Sequence, residues 1–309
     1  MRISIVIPVY KSTSTLVELA DRIDRVFSEL DSWTYEIIFV NDSPFAVETC
    51  KTLESLAAGN QRVTVIELMK NFGQQPATLC GIEHAKGDYV VTMDDDLQHA
   101  PEDIPKFLEK SSHDAVIARF RLKKHSLFKR MVSRIKGYFD YIILHKPRSL
   151  ALSPFRMIKG SVARLMVMRN TPYPFIPALL FEITDDVVNV DAHHFPRKAG
   201  STNYTFRKML QVFSNLLINN SSLMLRLVGY LGSLIALIAF VAAVTIVVRK
   251  FALGFVVPGW PSTIVTILFF GGMILFTLGI VGEYLIRLIA TTENRPTYYV
   301  RRIDRKEAE

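Results

Sequence analysis

Short apolar runs alternate with segments of helical periodicity over roughly the first third of the chain. Four apolar runs of strand length, each bounded by turn residues, predict strands at residues 3–8, 35–40, 62–68 and 88–93. Between them, apolar residues recur every three or four positions, which predicts helices at residues 14–30, 47–56 and 76–85. This alternation of strands and helices is typical of an α/β domain built on a mostly parallel, doubly wound (Rossmann-like) sheet.

A polar cluster stands at the end of each predicted strand. The four clusters occupy residues 8–10, 41–42, 71–74 and 94–98. In open parallel sheets, ligands bind at the carboxyl ends of the strands, where these clusters lie. The sequence therefore predicts a single binding site to which all four strand ends contribute.

The cluster after the fourth predicted strand is acidic, with Asp94, Asp95 and Asp96 in succession. Like charges this close repel one another, and a hard divalent cation removes the repulsion. Asp94 and Asp96 point to the same side of an extended chain, so they can hold Mg²⁺ or Mn²⁺ together with a diphosphate. The alternative is a solvated acidic turn or a helix N-terminus, because residues 100–103 are typical of a helix start.

Two uncharged apolar segments near the C-terminus, at about residues 227–248 and 262–282, predict a transmembrane hairpin. The chain would then comprise an α/β domain (1–204), an amphipathic interface helix (205–226), two transmembrane helices (227–291) and a basic tail (292–309). The positive-inside rule puts the α/β domain and both termini in the cytoplasm, although Arg249 and Lys250 between the spans oppose this orientation. The alternative is a hydrophobic hairpin buried in a soluble core.

Charge is concentrated in one segment of the 309-residue chain. The net charge is +8, and eight Lys or Arg and no acid lie between Asp114 and Asp140, so the rest of the chain is neutral in sum. Such a segment indicates an anionic partner: nucleic acid, anionic lipid or a phosphorylated substrate. Apolar residues at helical spacing through 122–143 favour a helix in a membrane interface, and no nucleic-acid-binding pattern is present.

Several motifs together carry a resemblance to a known family. They are Ile5-Val6-Ile7-Pro8-Val9-Tyr10, Val40-Asn41-Asp42-Ser43, Asn71-Phe72-Gly73-Gln74-Gln75, Asp94-Asp95-Asp96-Leu97-Gln98-His99-Ala100-Pro101-Glu102 and Arg197-Lys198-Ala199-Gly200-Ser201-Thr202-Asn203-Tyr204. The chain resembles family 2 glycosyltransferases of the GT-A fold over nearly its whole length. Within that family it is most similar to the polyprenyl-phosphate glycosyltransferases, the group of dolichol-phosphate mannose synthase and bactoprenol glucosyltransferase.

The resemblance implies roles for the strand-end residues. Pro8, Tyr10 and Asp42 would line the pocket for the nucleotide base and ribose; ordinary strand-end and turn roles are the alternative for all three. Asp94 and Asp96 would meet ribose, diphosphate and metal, with Gln98 as a further metal contact. The family often has Ala where this chain has Asp95, so Asp95 adds a charge at the substrate site.

The resemblance also implies which cations meet phosphate. Arg119 and Arg130 would bind the lipid phosphate or the donor diphosphate, and Arg197 and Thr202 belong to a loop that closes over the diphosphate. Attachment to anionic lipid without a specific phosphate site is the alternative for the basic segment. The acid often proposed as the family's catalytic base is replaced by Ser153-Pro154. A strong base is dispensable, because a phosphate monoester with a second pKa of about 6 is already largely a dianion at neutral pH.

These expectations add up to an inverting glycosyltransferase anchored in a membrane, with the bacterial inner membrane favoured. It would move a sugar from a nucleotide-sugar, with UDP-sugars such as UDP-glucose favoured, onto a polyprenyl phosphate at the cytoplasmic face. Glycines in the apolar spans predict close helix packing, within a chain or in a homo-oligomer. The rival functions are a processive polysaccharide synthase, whose Q-x-x-R-W motif is missing from the sequence, and a non-enzymatic nucleotide-sugar sensor or flippase scaffold.

Overall fold

The computed structural model describes residues 1–120, 146–147, 150–169, 171–196, 259–293 and 296–305, with scattered helical positions between 229 and 248. Its internal contacts divide the chain into two units. One unit comprises Met1–Asn203 together with Asn294–Glu309, and the other comprises Tyr204–Glu293. The last residues of the chain therefore group with the first two hundred rather than with the apolar segment that precedes them.

The described part of the first unit is built on one eight-stranded sheet with helices on both faces. Its strands are β1 (Arg2–Val9), β2 (Thr34–Asn41), β3 (Val63–Leu68), β4 (Tyr89–Thr92), β5 (Ala115–Phe120), β6 (Arg156–Lys159), β7 (Val187–Ala192) and β8 (Val300–Arg305). The helices are α1 (Ser14–Ser28), α2 (Val47–Gly59), α3 (Gln74–His84), α4 (Ile104–Leu108), α5 (Gly160–Met168) and α6 (Ile176–Ile183), and a 3₁₀ turn (Pro101–Asp103) precedes α4.

The sheet has the strand order β7-β5-β6-β4-β1-β2-β3-β8. The pairs β1–β2, β1–β4, β2–β3 and β5–β7 are parallel, and the pairs formed by β6 and β8 are antiparallel. The predicted mostly parallel α/β architecture is therefore confirmed. Because β1 lies between β2 and β4, the carboxyl ends of these three strands meet at one edge of the sheet.

The core explains why the strands are apolar throughout rather than alternating. Ile3 and Ile5 of β1 face the layer formed by α1 and α2, whereas Val6 faces the layer formed by α3, α5 and α6. Both faces of a central parallel strand are covered, so nearly every position is buried. Leu16 and Leu19 of α1, which gave that segment its helical periodicity, are fully buried against the sheet.

The second unit contains α7 (Trp260–Thr292), in which residues 269–286 have a mean hydropathy of 1.8. By length and composition it is the one helix among the described residues that could cross a membrane. It includes the predicted span at 262–282. The predicted span at 227–248 is described only at scattered positions, and the predicted interface helix at 205–226 and the basic segment at 122–143 lie outside the described residues.

The edge strand β8 was not predicted. Sequence analysis treated residues 292–309 as a basic tail, but Val300–Arg305 pairs antiparallel with β3. Four of its six residues are charged, in the sequence Val-Arg-Arg-Ile-Asp-Arg, and most of them are exposed. Charged side chains are typical of edge strands, which have only one paired neighbour, and they conceal the apolar pattern by which a strand is recognised in sequence.

We expect Gly87→Ala to destabilise the first unit without touching the site. A Cβ on Gly87 would lie 2.7 Å from the backbone nitrogen of Ser4 and 2.7 Å from the carbonyl oxygen of Tyr89, so strand backbone would have to move. The free energy of unfolding should fall by about 1–3 kcal/mol, as in other overpacked cores. Thermal unfolding in detergent measures this. The matched control is Gly59→Ala at the end of α2, where an added Cβ meets nothing within 4 Å; an equal loss in both variants would contradict the prediction.

Candidate active site

The acidic cluster directly follows β4, and a histidine five positions on orients its first residue. The backbone N–H of Asp94 donates a 3.0 Å hydrogen bond to His99 Nδ1. The imidazole of His99 is stacked between the rings of Phe120 and Phe155, with centroids 5.5 and 5.3 Å away. Burial lowers the pKa of His99 to about 4, so the ring is neutral at pH 7 and Nδ1 can accept this bond.

The groups around the Asp94 carboxyl shift its pKa in opposite directions. Burial, followed by the charges of Asp96 and Asp95, raises the pKa of Asp94 to about 7, while Arg156 and a hydrogen bond act in the other direction. That bond is donated by Gln74 Nε2 to Asp94 Oδ1 over 2.5 Å. A cation close to this carboxylate would favour its charged form and relieve the repulsion from Asp95 and Asp96. The carboxylate oxygens of Asp94 and Asp96 are ligands of the kind that Mg²⁺ and Mn²⁺ prefer.

Asp95 points back to the loop after β1. Its Oδ2 accepts a 3.2 Å hydrogen bond from the backbone N–H of Tyr10, and it also bonds the Ser12 side chain. The next residue of the loop, Lys11, has a left-handed backbone (φ 59°), and its N–H donates to Ser43 Oγ over 2.9 Å. The middle carboxylate of the cluster thus ties the ends of β1 and β4 together, and its contact with substrate stays a prediction.

The turn after Asp96 is strained. Leu97 has φ 61°, an uncommon backbone for a branched residue. The turn is closed by the backbone N–H of Gln98, which donates to Asp96 Oδ1 over 3.1 Å. The Gln98 side chain donates a long 3.4 Å bond to the carbonyl of Phe195, which leaves its amide oxygen available for a metal. Its role as a metal contact stays a prediction.

Asp42, at the end of β2, holds the loop that opens α3. Its carboxylate is 3% exposed and accepts hydrogen bonds from the N–H groups of Phe72 and Gly73, at 2.7 and 2.8 Å. Gly73 has φ 98°, which favours glycine, and it directly precedes Gln74, the residue that bonds Asp94. Burial raises the pKa of Asp42, and the two backbone bonds oppose that rise. The segment at residues 72–74 therefore contacts both the Asp42 carboxylate after β2 and the Asp94 carboxylate after β4.

Arg156 is a charged residue of the site for which sequence analysis assigned no role. It begins β6, pairs with Thr92 of β4, and is 4% exposed. Its Nη1 is buried and has no hydrogen-bond partner among the described residues, whereas Nε donates a long 3.4 Å bond to Pro154. Burial lowers the pKa of Arg156 to about 10, and the charge of Asp94 opposes this. A small cavity is lined by both side chains and by Pro8, Gln74 and Pro154.

Arg119 lies near the end of β5, at the same edge of the sheet. Thr92 of β4 and Ile117 of β5 both pair with Arg156 of β6. Asp94 lies two residues after Thr92, and Arg119 lies two residues after Ile117, so both are at the same level of the sheet. The Arg119 side chain is exposed, and its Nε donates to Asp191 Oδ1 over 2.7 Å, which raises its pKa. Its present partner is thus a carboxylate on β7, and a phosphate contact stays a prediction.

The predicted site residues that the structure describes therefore gather at the carboxyl edge of the sheet: Pro8, Tyr10, Asp42, Asp94, Asp95, Asp96, Gln98 and Arg119. Arg130, Arg197 and Thr202 lie outside the described residues. Within the described part of the chain, no group of three or more His, Cys, Asp or Glu side chains is arranged to hold a metal ion. His99 lies inside the motif at residues 94–102 and Arg156 lies two positions after Pro154, but no spacing in the sequence indicates their contacts.

Comparison with known proteins decides the family. A family model described as "Glycosyl transferase family 2" matches residues 4–166, which include every described strand-end cluster from β1 to β6. The chain belongs to glycosyl transferase family 2. It is accordingly an enzyme, a glycosyltransferase. The matched residues contain Asp42, the acidic cluster and Arg156.

Relatives over the full length confirm the narrower resemblance to polyprenyl-phosphate glycosyltransferases. An undecaprenyl-phosphate 4-deoxy-4-formamido-L-arabinose transferase from Klebsiella pneumoniae (strain 342) is 28% identical and aligns over 99% of this chain and 94% of its own. One with the same name from Edwardsiella ictaluri is 29% identical over 98% and 94%. Among solved structures, mannosyl-3-phosphoglycerate synthase from Rubrobacter xylanophilus matches with a TM-score of 0.48 and 15% identity, covering 74% of this chain and 75% of that one.

Proposed function

We propose that this glycosyltransferase moves a sugar from a nucleotide-sugar onto a polyprenyl phosphate, with inversion at the anomeric carbon. The observation that carries the proposal is the length of the match to the relatives named as undecaprenyl-phosphate transferases. It extends over nearly all of both chains, the apolar C-terminal segment included, rather than over the nucleotide-binding half alone. An enzyme acting on soluble acceptors has no need of that segment.

The donor would bind across the carboxyl ends of β1, β2 and β4. Asp42 can accept a hydrogen bond from a base or ribose, and the backbone at Pro8 and Tyr10 borders the same edge. Asp94 and Asp96, with Gln98 as a further ligand, would hold Mg²⁺ or Mn²⁺. When bound, the metal neutralises the diphosphate that leaves. The protein's own part is orientation, since Gln74 and His99 hold Asp94 by hydrogen bonds and Arg156 supplies a nearby positive charge.

The acceptor step needs positioning more than proton removal. A phosphate oxygen of the lipid forms a bond to the anomeric carbon, while the bond from that carbon to the nucleoside diphosphate breaks and the electron pair leaves with the diphosphate. The acceptor is already mostly a dianion at neutral pH. Arg119, Arg130 and Arg197, with Thr202, would screen and orient the two phosphate groups. The Ser153-Pro154 pair supplies no base, and this mechanism requires none.

We place the reaction at the cytoplasmic face of a membrane. β7 and β8 belong to one sheet, although the chain between them includes α7. Strands of one sheet lie on the same side of a membrane, so the chain between β7 and β8 crosses it an even number of times. With α7 as one span, an even number requires a second, and we assign it to residues 227–248, the other apolar segment predicted from sequence. The basic residues of β8 favour the cytoplasmic side.

The proposal predicts sugar transfer by the full-length protein in detergent or lipid. We would supply undecaprenyl phosphate, Mg²⁺ or Mn²⁺, and a panel of labelled donors: UDP-glucose, UDP-4-deoxy-4-formamido-L-arabinose, and other UDP- and GDP-sugars. We expect one donor to label the lipid and the label to disappear with EDTA. A UDP-sugar should outperform its GDP counterpart. Product anomer analysis should show inversion.

Other results of this experiment would assign a different reaction or function to the protein. Label in a growing glycan rather than in a lipid-linked monosaccharide would favour the processive synthase. Donor binding without transfer to any polyprenyl phosphate would contradict the proposed reaction. A lipid product with retained anomeric configuration would leave the substrates in place but exclude the direct displacement.

A further inference from the structure

The C-terminal strand completes the sheet beside the donor pocket. β8 pairs with β3 from Thr64 to Leu68, and the pairing continues past the strand, because the N–H of Met69 donates to the carbonyl of Tyr299 over 2.8 Å. Met69 begins the loop that leads to Gly73. The chain end is therefore bonded to the loop whose other end is held by Asp42.

A buried carboxylate makes this contact specific. Glu67, near the carboxyl end of β3, is 4% exposed, and Arg301 and Arg302 of β8 lie 3.3 and 3.1 Å from its two oxygens. Among the described residues these are the cations paired with it. A buried charge without a partner is costly, so the two arginines fix β8 to this position of β3. Arg302 also pairs with Glu54 of α2.

Further contacts reach the loops on both sides of the donor pocket. The guanidinium of Arg301 lies 5.3 Å from the ring centre of Phe45, in the loop that follows Asp42. The ring of Tyr299 lies 6.1 Å from that of Phe72, whose N–H donates to Asp42. β8 and the residue before it thus contact the segment that follows Asp42 and the loop whose N–H groups bond the Asp42 carboxylate.

We propose that β8 is a positioning element of the donor site: Arg301 and Arg302, through Glu67, hold the 69–73 loop in the form that binds the nucleoside diphosphate part of the donor. The inference rests on the proposed function, since it takes Asp42 as part of the nucleotide pocket. Arg301 and Arg302 are positioning residues and do not contact the reacting atoms. The same segment follows α7, so the membrane anchor and the donor loop are joined through a few residues of chain.

The first test replaces both arginines by mutation, and its matched control replaces another arginine of the same strand. In Arg301→Gln/Arg302→Gln, we expect KM for the nucleotide-sugar and Kd for the free nucleoside diphosphate to rise roughly tenfold, since two charge-assisted bonds are lost. The kcat at saturating donor should stay within about twofold, because the carboxylates after β4 are untouched. The control Arg305→Gln removes the same charge from β8, and Arg305 has no ion pair among the described residues; its KM should not change.

Hydrogen exchange provides a readout that does not depend on activity. In the double variant, amides of residues 69–75 should exchange faster, while those of β1 exchange as in the wild type. By reciprocity, a nucleoside diphosphate bound to the wild-type protein should slow exchange in residues 297–305, and this arm needs no variant.

The outcomes separate the two proposals. A wild-type protein that binds no nucleoside diphosphate contradicts the proposed function and, with it, the role of β8. If the wild type binds nucleotide but β8 exchange is unaffected, or if the double variant keeps both KM and loop protection, the positioning role is wrong and the function stands. If kcat and thermal stability both fell while KM stayed unchanged, β8 would have only a structural role. If the double variant does not fold, the wild-type exchange result decides.

Discussion

Asp96→Asn is expected to abolish sugar transfer while leaving the fold intact. The amide keeps the size of the side chain and can still accept the bond from the Gln98 N–H through Oδ1. It lacks the negative charge that would hold a divalent cation against the donor diphosphate. We expect kcat to fall by on the order of a thousandfold, as when a principal electrostatic stabiliser is removed from other active sites. Transfer to undecaprenyl phosphate over a range of Mg²⁺ and Mn²⁺ concentrations measures the loss.

The matched control for this variant makes the same chemical change at the opposite edge of the sheet. Asp31 is exposed and precedes β2, at the amino ends of the parallel strands. Asp31→Asn should transfer sugar at the wild-type rate. If Asp96→Asn retained more than about a tenth of the wild-type rate, the acidic cluster could not be the metal site on which the proposed reaction depends.

Replacing Arg156 should have the second largest effect, a change in the free energy of unfolding. The sign of that change distinguishes two explanations of why an arginine is buried at this position. If the guanidinium supports the partly buried Asp94 carboxylate, Arg156→Met removes a nearby positive charge and should lower the free energy of unfolding by about 1–3 kcal/mol. If Arg156 only fills space, methionine of similar length should be neutral or stabilising, because it avoids burying an unpaired donor. Thermal unfolding of the purified protein distinguishes the two.

A charge-conserving variant separates charge from shape at this position. Arg156→Lys retains a cation beside Asp94 but loses the planar fork of the guanidinium. We expect it to recover most of the stability lost in the methionine variant and only part of the transfer activity, because Asp94 would be held less well. Equal stability in the lysine and methionine variants would contradict a supporting role for the charge.

Local patterns in the chain are enough to predict much of the fold. The predicted helix at residues 14–30 is α1, which ends at Ser28, and the predicted strands at 3–8 and 35–40 are β1 and β2. These elements were recognisable because both faces of the central strands are buried and each helix turns one apolar face to the sheet. β8 had no such pattern, since its stability comes from pairing with β3 and from Glu67, more than two hundred residues earlier in the chain.

The carboxylates of the candidate site could be foreseen, but not the groups that control them. Asp42, Asp94 and Asp96 follow predicted strands, and parallel strands bring their carboxyl ends together. Nothing in the sequence around Arg156 or His99 tells which side chain each would meet. Their contacts follow from strand pairing and from the stacking of His99 between Phe120 and Phe155, both of which are set by residues distant in the chain.

By itself, the sequence determined the α/β class, the strand-end position of the acidic cluster and the resemblance to family 2 glycosyltransferases, because these depend on local periodicity and short motifs. Only the tertiary structure decided that Asp95 bonds the loop after β1, that Arg156 lies buried near Asp94, and that β8 completes the sheet next to the loop at residues 69–73. The physical reason is that burial and pairing of charges are properties of surroundings assembled from distant segments, and no local pattern encodes them.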